Sequence, residues 1–367
     1  MLTWDELAAR SLARQFPDVD GVDGVAGLVG TIGPIQSQAA RAPFLGLLAR
    51  DPALTGEAIS AAYDDGTLVR GSTIRGTVHT STPRQHVLLD ATTRVGQHTL
   101  WQRLIKPSTL TLEELWDRME AYTAPAWRTP EELAAHLRHV LFDAGEHEAV
   151  ERIDNQQGRY LAFGQGAFVR RPVNGDWRGQ GKAVYRLASA VHGLSRPESL
   201  DEAVLMHVRA HGPVSRNDIA WWSGLGLRVV DDVLDRLDLV AERGPMERAY
   251  VDVADAPSPR PLPGVRLLPE FDALLCGYDS KARDRFVDPD HHATLWASAN
   301  GLVLPPLLVD GRITGHWRLA GTGRQRDLEV TCFRRTRKPR LAELEQPAAG
   351  VAEALGVAIG RVRCERA

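Results

Sequence analysis

The chain has 367 residues, of which 43% are hydrophobic and 25% charged, as in a soluble globular protein of several domains. No apolar run reaches the roughly 18 residues that cross a membrane. The opening segment MLTWDELAARSLARQF lacks the apolar core of a signal peptide, so we expect a cytoplasmic protein with no membrane partner. Three cysteines in no paired spacing predict neither a disulfide framework nor a zinc site.

The net charge of -3 gives no overall sign of nucleic-acid binding, but the charges are unevenly distributed. Residues 1–66 carry four arginines against nine acids, whereas residues 312–340 carry eight arginines and one lysine against two acids. Such a basic stretch can form a DNA-binding surface on an acidic protein. A solvated surface without a partner is the alternative interpretation.

Helix-start signals recur along the first two thirds of the chain. A threonine followed by glutamate three residues later is the capping-box spacing, in which each residue satisfies a backbone N–H of the other. The predicted starts are Thr3 with Glu6, Thr111 with Glu114, Thr129 with Glu132, and Ser199 ahead of a helical pattern that ends at Gly212.

Residues 213–253 carry the most specific pattern. A short helix capped at Ser215, a glycine turn and a second amphipathic helix predict a helix-turn-helix. Two short strands, starting at Leu239 and Ala249, would complete a winged helix. Residues 53–82 show a similar order of helix and strands, with LVRG and IRGTVHT as the strands. Several winged helices in tandem are therefore expected.

The remaining third of the chain predicts a β-rich domain. Residues 255–263 contain four prolines and form a linker. The apolar and alternating segments beyond it predict a small antiparallel sheet or barrel with a turn at Asp310-Gly311. The segment AAGVAEALGVAIGRV predicts a final helix that closes the chain.

The common catalytic signatures for serine hydrolases, zinc proteases and phosphate-binding loops are missing. The segment GPIQSQAARAPF instead places Gln36 and Gln38 in an apolar run. On an extended backbone the two amides lie on the same side, where together they can hold one water molecule. The alternative is that both amides cap local backbone groups.

Five segments in this order resemble the AlkZ-like DNA glycosylases, and the resemblance spans nearly the whole chain. They are GPIQSQAARAPFLGLLARDP, LVRGSTIRGTVHT, SRNDIAWWSGL, LLPEFDALLCGYDSKAR and LVDGRITGHWR. The resemblance implies an α+β fold in which tandem winged-helix domains and a C-terminal β-barrel-like domain form a C-shaped clamp. It also implies that the Gln-x-Gln motif, Gln36 and Gln38, carries catalysis.

On this basis we divide the chain into four domains. They are a first winged helix with the Gln-x-Gln motif at 1–108, a second at 109–197, a third at 198–254, and a C-terminal β-domain with a hairpin and terminal helix at 264–367.

The resemblance implies hydrolysis of the N-glycosidic bond of alkylated purines in double-stranded DNA, with N7-alkylguanine foremost. Gln36 and Gln38 would position the water, without cofactor or metal. The motif contains no lysine that could form a Schiff base, so the enzyme is expected to be monofunctional. It is also expected to be a monomer. The expected DNA contacts are Arg75, Arg178, Lys182, Arg312, His316 and Arg318.

The tryptophans are expected to serve the fold rather than stack on bases. Trp317 is expected to pack beneath the hairpin, and Trp221 and Trp222 in the core. The rival function is a winged-helix transcription regulator without catalytic activity, and a further one is a protein that binds alkylated DNA without catalysis. The adduct stays open between simple alkylpurines, interstrand crosslinks and bulky antibiotic adducts, although the Arg-rich, Lys-poor composition favours the antibiotic self-resistance branch.

Overall fold

The computed structural model describes residues 1–154, 162, 164–189, 195–296 and 303–367. Within these ranges the α-helices are α1 (Trp4–Gln15), α2 (Gly24–Ile32), α3 (Ala42–Arg50), α4 (Gly56–Asp64), α5 (Pro83–Ile105), α6 (Leu112–Thr123), α7 (Pro130–Asp143), α8 (His147–Ile153), α9 (Arg196–His211), α10 (Arg216–Ser223), α11 (Leu227–Leu234), α12 (Ala273–Cys276), α13 (His292–Leu295) and α14 (Glu345–Leu355).

The strands of the described ranges form three sheets, so the fold is α+β as expected. They are β1 (Ile35–Gln36), β2 (Val69–Ser72), β3 (Val78–Ser81), β4 (Phe168–Pro172), β5 (Ala183–Leu187), β6 (Val214–Ser215), β7 (Val240–Arg243), β8 (Ala249–Asp252), β9 (Val265–Leu267), β10 (Pro306–Val309), β11 (Arg312–Ala320), β12 (Gln325–Cys332) and β13 (Ala358–Arg366). None of the helices in these ranges is long and apolar enough to cross a lipid bilayer.

Local capping explains where the helices begin. The capping boxes at Thr3, Thr111 and Thr129 are all formed, which confirms three predicted starts. The predicted start at Ser199 is wrong, because α9 begins four residues earlier. There Ser195 and Glu198 form the capping box ahead of the helix, and only the predicted end at Gly212 is confirmed.

The first sheet has the order β1-β3-β2-β4-β5, and its pairs are antiparallel. The predicted strands in LVRG and IRGTVHT are β2 and β3. Strand β2 meets β4 only at Gly71 and Val169. A Cβ on Gly71 would lie 2.5 Å from His86 and 2.6 Å from the carbonyl oxygen of Phe168, so the close approach requires glycine. One sheet therefore crosses the predicted boundary between residues 108 and 109.

The predicted helix-turn-helix and its two strands are found at α10, α11, β7 and β8. Gly224 ends α10 in the left-handed conformation, and β8 pairs with both β6 and β7. Trp222 is 4% exposed and lies in the core, but Trp221 is 45% exposed, so its predicted core position is wrong. Consecutive residues point about 100° apart on a helix, and only one of the two rings can face inward.

The C-terminal sheet has the order β13-β12-β11-β10-β9. Asp310 (φ +48°) and Gly311 (φ +82°) form the predicted turn between β10 and β11. Trp317 is 3% exposed and its indole Nε1 donates to the Leu268 carbonyl at 2.8 Å, which confirms that it packs within the fold.

The predicted closing helix is wrong beyond Leu355. Gly356 (φ +63°) ends α14, and the following residues form β13, which runs parallel to β12. This pairing brings the Sγ atoms of Cys332 and Cys364 to 3.7 Å, although they are distant in sequence, and both cysteines are free thiols.

Two cores join segments that are far apart in the chain. Side chains of α2, α3 and α4 pack on the C-terminal sheet in one core, and α1 packs with α9, α10 and α11 in another. A buried ion pair lies between the two cores: Arg50, at the end of α3, donates to both carboxylate oxygens of Asp272 at 3.0 and 3.2 Å and to Gln15. Removing one partner of such a pair costs ~3–5 kcal/mol.

Candidate active site

The Gln-x-Gln motif begins on β1, an edge strand of the first sheet that ends at Gln36, and Gln38 lies in the bend just beyond it. Gln36 is opposite His79 in the antiparallel ladder, and the Ser37 N–H continues the pairing by donating to the Val78 carbonyl at 2.7 Å. The backbone is therefore extended through Ser37, as the sequence predicts.

Gly33 sets the path by which the chain enters β1. Its φ is +86°, and a Cβ at this position would lie 3.1 Å from Ala210 Cβ and 3.4 Å from the ring of His211. Only glycine adopts this conformation without strain in so small a space. Helix α9, which carries Ala210 and His211, thus fixes where the motif begins.

Ser37 anchors the motif from the inner side of the strand. Its hydroxyl lies 2.7 Å from the Thr80 hydroxyl, which in turn lies 2.6 Å from the Tyr63 hydroxyl. Because side chains alternate along a strand, this anchoring places Gln36 on the side opposite Ser37, and Gln38 follows in the bend beyond the strand.

Gln36 is held by an arginine that sequence reasoning assigned to DNA. The Gln36 Oε1 accepts a hydrogen bond from Arg75 Nη2 at 3.2 Å, and Arg75 Nη1 donates to the Trp221 carbonyl at 3.4 Å. Arg75 itself has a φ of +56° in the turn between β2 and β3. Its guanidinium therefore links Gln36 to helix α10.

The charge of Arg75 is unbalanced among the residues that the structure describes. It forms no ion pair there, and its buried Nε has no hydrogen-bond partner. Burial lowers the pKa of Arg75 below its ordinary value, but an arginine stays protonated at neutral pH. Gln36 thus lies beside a cation that donates to neutral oxygens, its own Oε1 and the Trp221 carbonyl.

Gln38 follows the strand and is exposed. Its side-chain Oε1 accepts from the Val78 N–H over a long 3.4 Å, and its carbonyl accepts from Gln180 Nε2 at 3.0 Å. The Val78 contact fits the capping alternative for this one amide. The Nε2 groups of Gln36 and Gln38 have no acceptor in the described part of the chain, so both can donate to a bound molecule.

A buried arginine fixes the chain beyond the motif. Arg70 donates to the Ala40 carbonyl at 3.2 Å, the Tyr63 hydroxyl at 3.1 Å and the Trp177 carbonyl at 3.1 Å. Sequence analysis passed over Arg70, because one arginine in LVRG is equally typical of an exposed strand position.

Two of the expected DNA contacts lie in the loop between β4 and β5, close to Gln38. Lys182 is exposed. Arg178 is half-buried, with its guanidinium 5.3 Å from the centre of the Phe44 ring and against Gly56 and Gly356. Lys182 is therefore open to a partner, whereas Arg178 is packed against the protein.

The other three expected contacts lie on β11, in the C-terminal sheet. Arg312 Nη1 donates to the Arg285 carbonyl at 2.9 Å. His316 is half-buried, and burial lowers its pKa. Arg318 is exposed and pairs with Glu329 of β12 at 2.6 Å. Gln36 and Arg75 are thus brought together, while the β11 residues belong to a separate surface.

Sequence analysis missed two arginines of β4 that lie near the motif. Arg170 and Arg171 line a small cavity of about 90 Å³ together with Gln38 and Gln180. The signal was the dipeptide in FVRRP, which neither a motif nor the resemblance singled out. The surface beside Gln38 is therefore more basic than the sequence analysis predicted.

These features, a helix-turn-helix with a β-hairpin and basic surfaces around a polar amide pair, are those of a DNA-binding protein. The family model for DNA glycosylase AlkZ-like proteins matches residues 29–354. The chain therefore belongs to the AlkZ-like family: it is a DNA glycosylase, an enzyme of DNA repair whose substrate is DNA.

Two further comparisons agree with this assignment. The chain is 24% identical over 376 residues to the interstrand DNA cross-link repair glycosylase of Streptomyces sahachiroi, with 97% of each chain covered. Its fold is similar to the solved structure of S. sahachiroi DNA glycosylase AlkZ, with a TM-score of 0.81, 21% identity and 99% of each chain covered.

Four histidines around the motif are buried and neutral. Burial lowers the pKa of His79 to about 3, of His86 to about 4 and of His211 to about 3, and lowers the pKa of His207 well below its ordinary value. The His207 ring stacks on Trp222 and His211 at centroid distances of 4.4 and 4.5 Å.

We expect these histidines to make the fold sensitive to mild acid. Their folded pKa values lie below the unfolded value of 6.5, so the unfolded state binds more protons and the free energy of unfolding falls as pH drops below 6.5. Each histidine changes the free energy of unfolding by about 1.4 kcal/mol per pH unit at most. Asp90 has the opposite effect and offsets one histidine, because burial raises its pKa to about 6 and the folded state then binds more protons. Urea unfolding at pH 7.5, 6.5 and 5.5 measures this slope. A flat profile would contradict the buried neutral state.

Proposed function

We propose that the protein hydrolyses the N-glycosidic bond of alkylated purines in double-stranded DNA, with N7-alkylguanine foremost. It acts as a monomer, without metal or cofactor. The observation that carries the proposal is the pair of amides at and just beyond the end of β1, whose Nε2 groups have no acceptor among the described residues. The name of the S. sahachiroi relative, an interstrand cross-link repair glycosylase, supports crosslinks and bulky antibiotic adducts as further substrates.

The substrate supplies most of the activation in this mechanism. Alkylation at N7 makes the purine a cation, so the leaving base departs neutral and needs no strong acid. The enzyme has to place water near C1′ and stabilise the cationic sugar. A neutral amide cannot take a proton as a general base near pH 7, but it can orient the water for such a labile bond.

Gln36 and Gln38 divide the task of holding the water. Arg75 engages the Gln36 Oε1, so the Gln36 Nε2 is turned toward a different partner and can donate to the water oxygen. Gln38 is exposed at the end of the strand, where its amide can donate or accept. Arg75 is thus a positioning residue for Gln36 rather than a phosphate contact.

The DNA would follow the surfaces where basic side chains remain accessible. We propose contacts from Lys182, which is exposed near Gln38, and from His316 and Arg318 on β11. The guanidinium groups of Arg178 and Arg312 are engaged by Phe44 and the Arg285 carbonyl, and so support the framework behind these contacts.

The finer architecture belongs to the same proposal. Residues 1–108, 109–197 and 198–254 would act as tandem winged-helix units and 264–367 as the β-domain of a C-shaped clamp around the duplex. The helix-turn-helix at α10 and α11 with strands β7 and β8 supports the third unit. Membership of a glycosylase family argues against the alternative, a transcription regulator.

Replacing either glutamine is expected to slow base release without affecting DNA binding. Gln38→Ala and Gln36→Ala should each lower the single-turnover rate about 100-fold, as when a water-positioning group is lost, while the Kd for the duplex changes little. Near-wild-type rates in both variants would contradict the catalytic role and favour the alternative, in which both amides cap local backbone groups.

Arg75 provides a control for the role of Gln36. If Arg75 acts through Gln36, the double variant Arg75→Ala/Gln36→Ala should be no slower than Gln36→Ala alone, because the effects of residues acting as one unit do not add. Additive losses would give Arg75 an independent role.

Substrate choice should follow the charge of the leaving base. We expect release of N7- or N3-alkylated purines but not of uracil or 8-oxoguanine, whose glycosidic bonds are not activated by a positive charge. The product should be an abasic site that breaks only in hot alkali, with no effect of chelator and no borohydride-trapped complex. Gel analysis of modified oligonucleotides reads all four outcomes. Efficient uracil release, or strand cleavage without alkali, would refute the mechanism.

Binding should depend strongly on salt despite the acidic net charge. Arg318→Ala and Lys182→Ala should each reduce the slope of log K against log salt by about one, the loss of one phosphate contact. Arg178→Ala, whose side chain packs on Phe44, is the matched control and should leave the slope unchanged. If all three variants keep the wild-type slope, neither Arg318 nor Lys182 contacts a phosphate, and the DNA must bind to other surfaces.

A further inference from the structure

A second, larger cavity lies where the first sheet is weakly joined. Its volume is about 410 Å³, and its walls include Val69 and Arg70 of β2 and Val169 of β4. The strands β2 and β4 pair only at Gly71 and Val169, so they diverge beside this cavity. Ligand sites are common at such joins between structural units.

Aromatic rings form part of the cavity wall. Tyr63 and Trp177 are buried and stack on each other with centroids 4.4 Å apart. Trp127, in the loop before α7, is half-buried, and the guanidinium of Arg171 lies 4.3 Å from the centre of its ring. The cavity thus offers a planar surface made of an indole and a guanidinium, on which a nucleobase can stack.

The cavity is also positively charged. Its four arginines, Arg70, Arg170, Arg171 and Arg186, form no ion pair with a carboxylate in the described ranges, and the residues outside those ranges include no Asp or Glu. Their contacts are with carbonyl or hydroxyl oxygens or aromatic rings.

Two acids lie in the cavity wall, and both already accept hydrogen bonds from the protein. Asp64 accepts from Trp177 Nε1 at 2.8 Å, and Asp65 accepts from the Thr67 N–H at 2.8 Å. Four guanidinium groups therefore outnumber two carboxylates. A ligand that is planar at one end and anionic at the other matches both features of the cavity.

The cavity adjoins the Gln-x-Gln motif. Arg70, Arg170 and Arg171 line both this cavity and the small cavity that contains Gln38. These three side chains therefore form a shared wall between the two cavities. A DNA strand that reaches Gln38 in the small cavity would pass beside the larger one.

We infer that this cavity binds one nucleotide of the damaged strand, next to the lesion, with its base against Trp127 and its phosphate near Arg171 and Arg186. The inference rests on the proposed function, because that function brings the strand to Gln38. As a consequence, the enzyme would bind the nucleotide beside the lesion in the same way whatever adduct the lesion carries.

The test uses a duplex that cannot react. It carries tetrahydrofuran in place of the damaged nucleotide and 2-aminopurine at one of the two positions on either side, one position per duplex. Full-length protein should change the 2-aminopurine emission at one flanking position, since stacking alters it. Trp127→Ala should abolish that change. Phe142→Ala, which removes an exposed aromatic ring of α7 outside the cavity, should retain it.

A second measurement separates stacking from a general loss of structure. Removing the flanking base, by a second tetrahydrofuran, should weaken wild-type binding about tenfold, a typical loss for one base–aromatic stack. The same removal should not weaken binding by Trp127→Ala. Arg171→Lys, which keeps the charge but removes the planar group, should fall between them.

Three results would overturn the inference. They are an emission change at no position, a change that persists in Trp127→Ala, and saturable binding of free 2-aminopurine deoxyribonucleoside 5′-phosphate with no position-dependent signal in DNA. The last would assign the cavity to a free nucleotide. Release of N7-methylguanine, assayed separately, reports on the proposed function, so the failure of one is distinguishable from the failure of the other.

Discussion

The arrangement of the site depends on one constraint, the seating of the two-residue strand β1. Gly33 enters it through a conformation and a space that exclude a Cβ, against Ala210 of α9. Ser37 holds it from inside through Thr80. With the ends and the inner side fixed, Gln36 is 9% exposed beside Arg75, and Gln38, in the bend just beyond the strand, is exposed. An edge strand elsewhere risks aggregation, but here it leaves room for DNA.

The groups around this strand are neutral or positively charged, which under the proposed function suits anionic DNA rather than acid–base chemistry. The nearby histidines are neutral, since burial lowers the pKa of His79 to about 3. Within the described ranges, no carboxylate forms a hydrogen bond with either glutamine. The arginines around the motif, Arg70 and Arg75, donate to neutral oxygens. A site built this way can orient water and neutralise phosphates, but it cannot protonate a leaving group. The proposed function therefore restricts the enzyme to bases that alkylation has already activated.

How much the sequence predicts depends on how local each feature is. Capping boxes at Thr3, Thr111 and Thr129 are set by residues three apart, and all three helices form. Thr82 and Gln85 form the same capping box at the start of α5. This start was not predicted, because Thr82 directly follows residues predicted as a strand. Contacts between distant segments leave no such mark. Arg75 reaches Gln36 across 39 positions, and Arg70 contacts Trp177 across 107. The sequence singled out the glutamines by their place in an apolar run, and the resemblance gave them a catalytic role. Arg75 was expected to contact DNA, and nothing in the sequence indicated that it binds Gln36.

The helix-turn-helix, taken alone, would suggest a transcription regulator, and its position in the fold explains why that interpretation fails. Helix α10 contributes a carbonyl, that of Trp221, to the same guanidinium that holds Gln36. Gly224, which ends α10, also lies beside Arg75, since a Cβ there would be 3.4 Å from the Arg75 Cγ. A regulator needs a recognition helix that is free to enter a groove on its own. In this chain α10, the first helix of the pair, instead contacts Arg75, the residue that donates to Gln36, so the helix pair is tied to the Gln-x-Gln region of the fold.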